Sequence, residues 1–260
     1  MTKFCTLYSS SSGNCTLISD KETNILIDAG VSASKICDSL KELGVSPDEI
    51  DAILVTHEHT DHICGLRVFC KKYNTSVYAS VKTAEKISET FPDIPKGNLH
   101  TVSPSEVFKI RSMTAKAFQT PHDSSGPYGY CVWAEDKKYC VATDTGTVTK
   151  SMLTNLAGAE AVLIESNHDE EMLKNGPYPY ILKKRILSDT GHLSNSSCAW
   201  LSTQLALWGT KRIIIGHLSE KNNTPQKAFE CAKSLLESNG FKVGSDVLLK
   251  VAPKSEICSI

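Results

Sequence analysis

An α/β sandwich, two mixed β-sheets packed face to face with helices outside, is the fold class that the sequence predicts. Three observations predict it. Short apolar strands come first in hairpins and then alternate with amphipathic helices, and this progression occurs twice along the chain. Residues 52–55, 161–165 and 212–215 are nearly continuous apolar runs and read as buried strands. No linker, repeat or low-complexity tract interrupts the 260 residues, so residues 1–260 are expected to form a single domain.

Residues 4–8 alternate weakly and open the first strand. Ser9-Ser10-Ser11-Ser12-Gly13-Asn14 supplies turn chemistry, and residues 15–18 and 24–27 are two further strands, the second closed by Asp28-Ala29-Gly30. Ser32 caps an amphipathic helix over 33–43 that Gly44 ends. Residues 47–50 lead into the strand 52–55. Beyond His62 a helix runs to about Tyr73, followed by a strand at 77–79 and a helix at 81–89. Val102, 107–110 and 113–120 are strands meeting at turns. Residues 128–135 and 138–143 form a hairpin, and 161–165 is the next strand. From Asp169 the pattern turns helical, with Pro179 near a helix start and a helix over 195–208 ending at Gly209. After the strand 212–215, Thr224 and Pro225 cap and open a helix to about Ser238, and 247–251 is the final strand.

Composition narrows the function classes. The formal net charge of −1 supplies no global attraction to nucleic acid, though a local basic patch remains compatible with it. The ten cysteines contain no Cys-x-x-Cys pair and lie mostly in apolar segments, so they read as reduced, buried hydrophobes. The amino terminus lacks a secretory pattern, and no apolar run approaches the roughly 20 residues of a membrane helix. A cytoplasmic protein without a membrane partner is the expectation; the oligomeric state is open.

The chemistry concentrates in Val55-Thr56-His57-Glu58-His59-Thr60-Asp61-His62, directly after a buried strand. Imidazole suits zinc, iron, manganese or copper, and an adjacent carboxylate favours a hard, hydrolytic ion. On an extended strand end His57 and His59 point to one side, while Asp61 and His62 reach a second point, which implies two metals. More ligands are expected just after apolar strands, at the sheet edge where α/β sites collect. His122 in Thr120-Pro121-His122, Asp144 in Thr143-Asp144-Thr145 and His217 in Gly216-His217-Leu218 meet that description. His100 has no partner in view and reads as a surface histidine. His168 ends a strand and is a weaker candidate. His192 follows a glycine turn at a helix start, where free N–H groups attract phosphate, and it can hydrogen-bond or protonate an oxygen there.

The motif at 56–62 resembles that of the metallo-β-lactamase superfamily. The resemblance implies His57, His59 and His122 on one ion and Asp61, His62 and His217 on the other, with Asp144 between them. With Ser-Ser-Ser-Gly-Asn-Cys at 10–15, Gly-His-Leu-Ser-Asn at 191–195 and Gly-His-Leu-Ser-Glu-Lys-Asn-Asn-Thr-Pro at 216–225, the chain looks like the bacterial WalJ/YycJ-type exonuclease branch over nearly its full length. These are relatives of ribonuclease Z. The branch implies a 5′-to-3′ DNA exonuclease with a link to mismatch repair. In ribonuclease Z relatives a glutamate and a histidine relay a proton to the leaving oxygen, and Glu165 and His192 stand at those positions. Ser166-Asn167 departs from the rest of the glutamate motif, and no insertion matches the long tRNA-holding arm, which speaks against tRNA processing.

The expected cofactors are therefore two divalent ions, zinc or manganese, with iron also compatible. A bridging hydroxide, oriented by Asp61, would attack phosphorus while His192 protonates the departing 3′ oxygen, assisted by Glu165. Ser12, Asn14, Arg185, Ser194 and Asn222 are candidate substrate contacts, and Lys183-Lys184-Arg185 and Lys71-Lys72 are candidate grips on backbone phosphates. Two alternatives stay open. A small-molecule hydrolase of lactones, thioesters or cyclic phosphodiesters would act on esters without salt-dependent DNA binding. A non-catalytic scaffold would be expected to lack ligands, whereas all seven are present here.

Overall fold

Only Ser11 and Ser12 separate β1 (Lys3–Ser10) from β2 (Gly13–Ser19) in the computed structural model, which describes residues 2–260. Met1, included in the single-domain expectation, lies outside the described residues. The turn is thus shorter than residues 9–14, because Ser9 pairs with Asn14 and Ser10 with Gly13. A contact from the far end of the chain holds this register: the Ser9 hydroxyl accepts the His217 N–H at 2.8 Å.

β3 (Asn24–Ile27) adds an antiparallel strand, and α1 (Ala33–Glu42) returns the chain to β4 (Ala52–Leu54), parallel to β3. Ser32 caps α1 as expected, its hydroxyl accepting the Lys35 N–H. The helix expected after His62 is broken into α2 (Thr60–Ile63) and α3 (Leu66–Tyr73). Gly65 lies at the break, with its N–H on Ala29 O at 2.8 Å. Then follow β5 (Ser76–Ala79), α4 (Val81–Thr90) and β6 (Leu99–Thr101).

The second sheet repeats the plan. β7 (Val107–Ile110), β8 (Met113–Gln119), β9 (Tyr128–Ala134) and β10 (Lys137–Ala142) form an antiparallel meander. Helix α5 (Lys150–Leu156) leads to β11 (Ala161–Glu165), and α6 (Glu170–Asn175), α7 (Tyr180–Ile186) and α8 (Asn195–Leu207) lead to β12 (Arg212–Gly216). Last come α9 (Pro225–Ser238), β13 (Leu248–Val251) and β14 (Cys258–Ser259). Strands β10 to β13 are parallel neighbours.

Among the described residues the two sheets have seven strands each, in the orders β14-β1-β2-β3-β4-β5-β6 and β13-β12-β11-β10-β9-β8-β7. Side chains alternate between two cores, as the strand pleat demands. Ile25 and Ile27 point between the sheets while Leu26 points to the first helical layer. Ala161 and Leu163 likewise point between the sheets, and Val162 and Ile164 face the second helical layer. The predicted sandwich is the observed one.

Three elements were not legible in sequence. Helix α5 buries only Met152 and Leu156, too few residues for an amphipathic signal. β6, whose strand was expected at Val102, ends one residue before it and has no fully buried residue, and β14 pairs with β1 through Cys5–Ser259 and Thr6–Cys258. Among the described residues no helix is long and apolar enough to cross a membrane.

Candidate metal centre

Strands β1, β3, β4, β8, β10, β11 and β12 all end at one edge of the sandwich, and the segments that follow them carry the polar residues of the site. Three of those residues, Asp28, Asp144 and His217, have left-handed backbones with φ of 62°, 55° and 55°. Such conformations are disfavoured for non-glycine residues and cluster at functional sites. Asp28 and His217 sit directly after β3 and β12, Asp144 follows β10 after Thr143, and each side chain joins the same polar cluster. Gly30 lets the loops meet: a Cβ there would lie 1.6 Å from Asp61 O.

His57, His59 and His122 present ligand atoms within 4.8 Å of one another, and so do Asp61, His62, Asp144 and His217. His59 Nδ1 is 3.0 Å from His57 Nε2 and 3.3 Å from His122 Nε2. Asp144 reaches both groups, with Oδ1 3.8 Å from His122 Nε2 and 3.4 Å from His217 Nε2. All seven sequence-predicted ligands converge here.

The ring orientations fit cations. His62 Nδ1 donates to Asp28 Oδ2 at 2.8 Å, His217 Nδ1 to Glu165 Oε1 at 2.8 Å, and His122 Nδ1 to Gly191 O at 3.1 Å. His57 Nδ1 lies 3.0 Å from Thr56 Oγ1. Tying Nδ1 fixes the tautomer and leaves Nε2 to face the cluster, the usual support of metal-bound histidine. Asp144 Oδ2 and His217 Nε2 are buried and make no hydrogen bond of good geometry, although His62 Nε2 lies 3.1 Å from the first and Asp144 Oδ1 3.4 Å from the second. Desolvated polar atoms without partners are costly, so these two call for a ligand. Asp144, Glu165, His192 and His217 also converge, but Glu165 is already spent on hydrogen bonds from both imidazoles. That third group is joined by its own hydrogen bonds through Glu165 Oε1.

Electrostatics divides the two clusters. Burial holds His57 and His122 below the ordinary histidine range, so these rings are neutral and ready to coordinate. In the second cluster burial opposes charge, yet Asp144, Asp61 and Glu165 push His217 up to about 10, and Asp144 with Asp28 pushes His62 well above normal. Burial would likewise raise Asp61 and Asp144, but the same imidazoles hold both well below the carboxylate range. The carboxylates of this half of the site therefore favour positive charge at its centre.

His192 packs beside both clusters, its ring 5.1 Å from that of His122 and 5.4 Å from that of His217. Its Nδ1 is 2.6 Å from Glu165 Oε1, and Glu165 Oε2 accepts the Thr145 N–H at 2.9 Å. Burial alone would depress His192, but Glu165 raises it; burial would raise Glu165, but His192 and His217 hold it at about 2.

The candidate substrate contacts separate. Ser12 is exposed at its hairpin tip and reaches Glu220 at 3.3 Å. Asn14 is buried and donates to Ser10 O at 3.0 Å and Asp61 O at 3.3 Å, so it braces the metal loop from beneath. Arg185 pairs with Asp123, its Nη2 2.9 Å from Oδ1, at the mouth of the site. Ser194 caps α8 through the Ser197 N–H. Asn222 is a correction: it is fully buried, with Nδ2 on Ser219 Oγ at 3.4 Å, and cannot meet a substrate. Lys71 shares Asp93 with Arg67, each at 2.8 Å, on the exposed surface. His100 stacks on Tyr78 at 4.8 Å, away from the metal ligands. His168 is buried, and neither ring nitrogen has a hydrogen-bond partner.

Sequence reasoning missed Asp28, read only as the close of a strand. A carboxylate directly after the apolar Ile25-Leu26-Ile27 was the available signal. It also missed Glu58, whose Oε1 accepts the Ser125 N–H at 2.7 Å and so anchors the loop after His122.

Residues 10–182 match the family model described as the metallo-beta-lactamase superfamily. The chain is 36% identical over 241 residues to the exodeoxyribonuclease YycJ of Bacillus anthracis, covering 93% of this chain and 91% of the relative. It is 37% identical over 246 residues to the exodeoxyribonuclease WalJ of Streptococcus pneumoniae serotype 2 (strain D39), covering 94% and 91%. Among solved structures, the metallo-beta-lactamase fold protein YhfI from Bacillus subtilis matches with a TM-score of 0.74 at 13% identity, over 99% of both chains.

Proposed function

The chain belongs to the metallo-β-lactamase superfamily, and from that premise we propose that it is a dinuclear metal-dependent phosphodiesterase that removes nucleotides from DNA in the 5′-to-3′ direction. The observation that carries the reading is the Glu165–His192 pair beside the seven-ligand cluster. A phosphodiester expels a poor alkoxide leaving group and needs a proton donor, as well as charge neutralisation. Relatives named exodeoxyribonucleases, similar over more than nine-tenths of this chain, support DNA as the substrate class.

Divalent cations in the two clusters would acidify a water and neutralise charge on the reacting phosphate. The residues supply the rest. Asp61 Oδ2, 3.5 Å from both His62 Nε2 and His217 Nε2, orients the attacking water. His192 Nε2 makes no hydrogen bond among the described residues and gives its proton to the departing 3′ oxygen. Glu165 keeps that imidazole charged and correctly turned. Cleavage of the phosphorus–O3′ bond releases a 5′-mononucleotide and leaves a new 5′ phosphate.

The test is degradation of double-stranded DNA labelled separately at its 5′ and 3′ ends, with manganese or zinc and a chelator control. Metal-dependent release of 5′ label as mononucleotides is the expected outcome. Intact DNA beside rapid hydrolysis of a lactone, thioester or small phosphodiester would instead assign a small-molecule hydrolase.

A further inference from the structure

Helix α7 points Tyr180 and Ile181 outward. Tyr180 is 79% exposed, Ile181 83%, and Leu187, just past its end, 52%. Lys184 and Arg185 are also exposed. Positions 180, 181, 184 and 185 recur at the i, i+4 spacing that places side chains on one face of a helix. The inner face of the helix is held by Ile186, at 6% exposure. Isolated exposed hydrophobics need no explanation, but an aromatic and aliphatic stripe interleaved with cations does.

The stripe runs to the metal centre. Arg185 is paired with Asp123, which follows the ligand His122, and the Ile186 carbonyl accepts the His192 N–H at 3.0 Å. Five residues at about 1.5 Å each put Tyr180 about 7.5 Å farther out along the helix axis. Lys184 has no ion-pair partner among the described residues, and α7 carries no acidic residue. A flat ring and a free cation beyond a phosphodiester-cleaving centre match the combination by which proteins hold single strands, bases stacking while lysine meets phosphate.

We propose that α7 is the strand-holding element of this enzyme: Tyr180, supported by Ile181, stacks a base of an unpaired DNA segment entering the site, and Lys184 contacts its backbone phosphate. This inference rests on the reading of the site as a DNA hydrolase. A second copy of the chain is a poorer occupant. Three exposed side chains, one of them an aromatic able to bury roughly 150–250 Å², supply much less than the about 800 Å² per partner of a stable interface.

The test uses the metal-loaded protein and a hydrolysis-resistant phosphorothioate dT oligonucleotide, with binding followed by fluorescence anisotropy across a salt series. Tyr180→Ala is expected to weaken binding about tenfold, and Tyr180→Phe to restore it, because stacking needs the ring and not the hydroxyl. Lys184→Ala is expected to make the logarithmic salt dependence shallower by about 0.7, one single-strand phosphate contact. The ratio of oligonucleotide cleavage to bis(p-nitrophenyl) phosphate hydrolysis should fall with binding in Tyr180→Ala. Wild-type affinity and salt slope in both alanine variants would overturn the proposal while leaving the DNA hydrolase reading intact. So would loss of dimers in sedimentation for Tyr180→Ala with DNA affinity unchanged, which would make α7 a self-association surface. No DNA binding or cleavage by the wild-type protein, with the small diester still hydrolysed, would remove both readings.

Discussion

Asp28 does for His62 what Glu165 does for His217: each carboxylate accepts the Nδ1 proton and turns Nε2 toward the cluster. Asp28 is also fixed, because the Thr56 N–H donates to its Oδ1 at 2.8 Å. Asp28→Asn should therefore weaken metal binding about 10- to 100-fold, measured by competition with a chromogenic chelator. Unchanged affinity would show that His62 needs no such support. Asp61→Ala should abolish hydrolysis in a folded protein, and full activity in that metal-loaded variant would remove the two-metal assignment. His192→Ala should slow turnover about 10²- to 10⁴-fold, the usual worth of a positioned acid, with metal content unchanged. If metal content halved, His192 would be a ligand rather than a proton donor.

Elements position these residues by how they end. Left-handed residues after β3, β10 and β12 bend the chain sharply where it leaves each sheet, placing a ligand or its support at the edge. At α8 the cap is a side chain: Ser194 takes the Ser197 N–H, while the neighbouring Asn195 N–H binds His168 O at 2.8 Å. Ser194→Ala should cost about 1 kcal/mol through loss of the cap. A lower urea midpoint with an unchanged slope would record it. No loss of stability, coupled with a rise in KM for DNA, would give Ser194 back its role as a substrate contact.

Across the whole molecule, the metal centre joins the two halves. His57 and His59 come from the loop after β4 and Asp61 and His62 from α2, all next to the first sheet, and His122, Asp144 and His217 from the loops of the second. Cations bound there act on the folded chain alone, so saturation at about a hundred times Kd should add about 2.7 kcal/mol of stability, seen as a higher Tm that chelation reverses. Binding also displaces protons. With His217 held up to about 10 and His62 above its ordinary value in the metal-free chain, both are charged at neutral pH and must lose a proton to coordinate. Affinity should rise with pH, and the calorimetric enthalpy should vary with the ionisation enthalpy of the buffer. A buffer-independent enthalpy would mean that those histidines are already neutral.

The chain by itself determined what is local: the ligand types and their spacing in 57–62, the apolar runs that become two-face-buried strands, and the caps at Ser32 and Thr224. These follow from neighbouring residues, whose preferences need no distant partner. Tertiary structure decided the rest. Ser9 became strand because His217 bonds it from 208 residues away. Asn14 turned inward beneath Asp61, Asn222 was buried, and the two-residue β14 formed only because β1 offered an edge. The solvent-facing stripe of α7 belongs with these, since the same periodicity serves a buried or an exposed face. Only contacts between residues far apart in sequence set which side meets water.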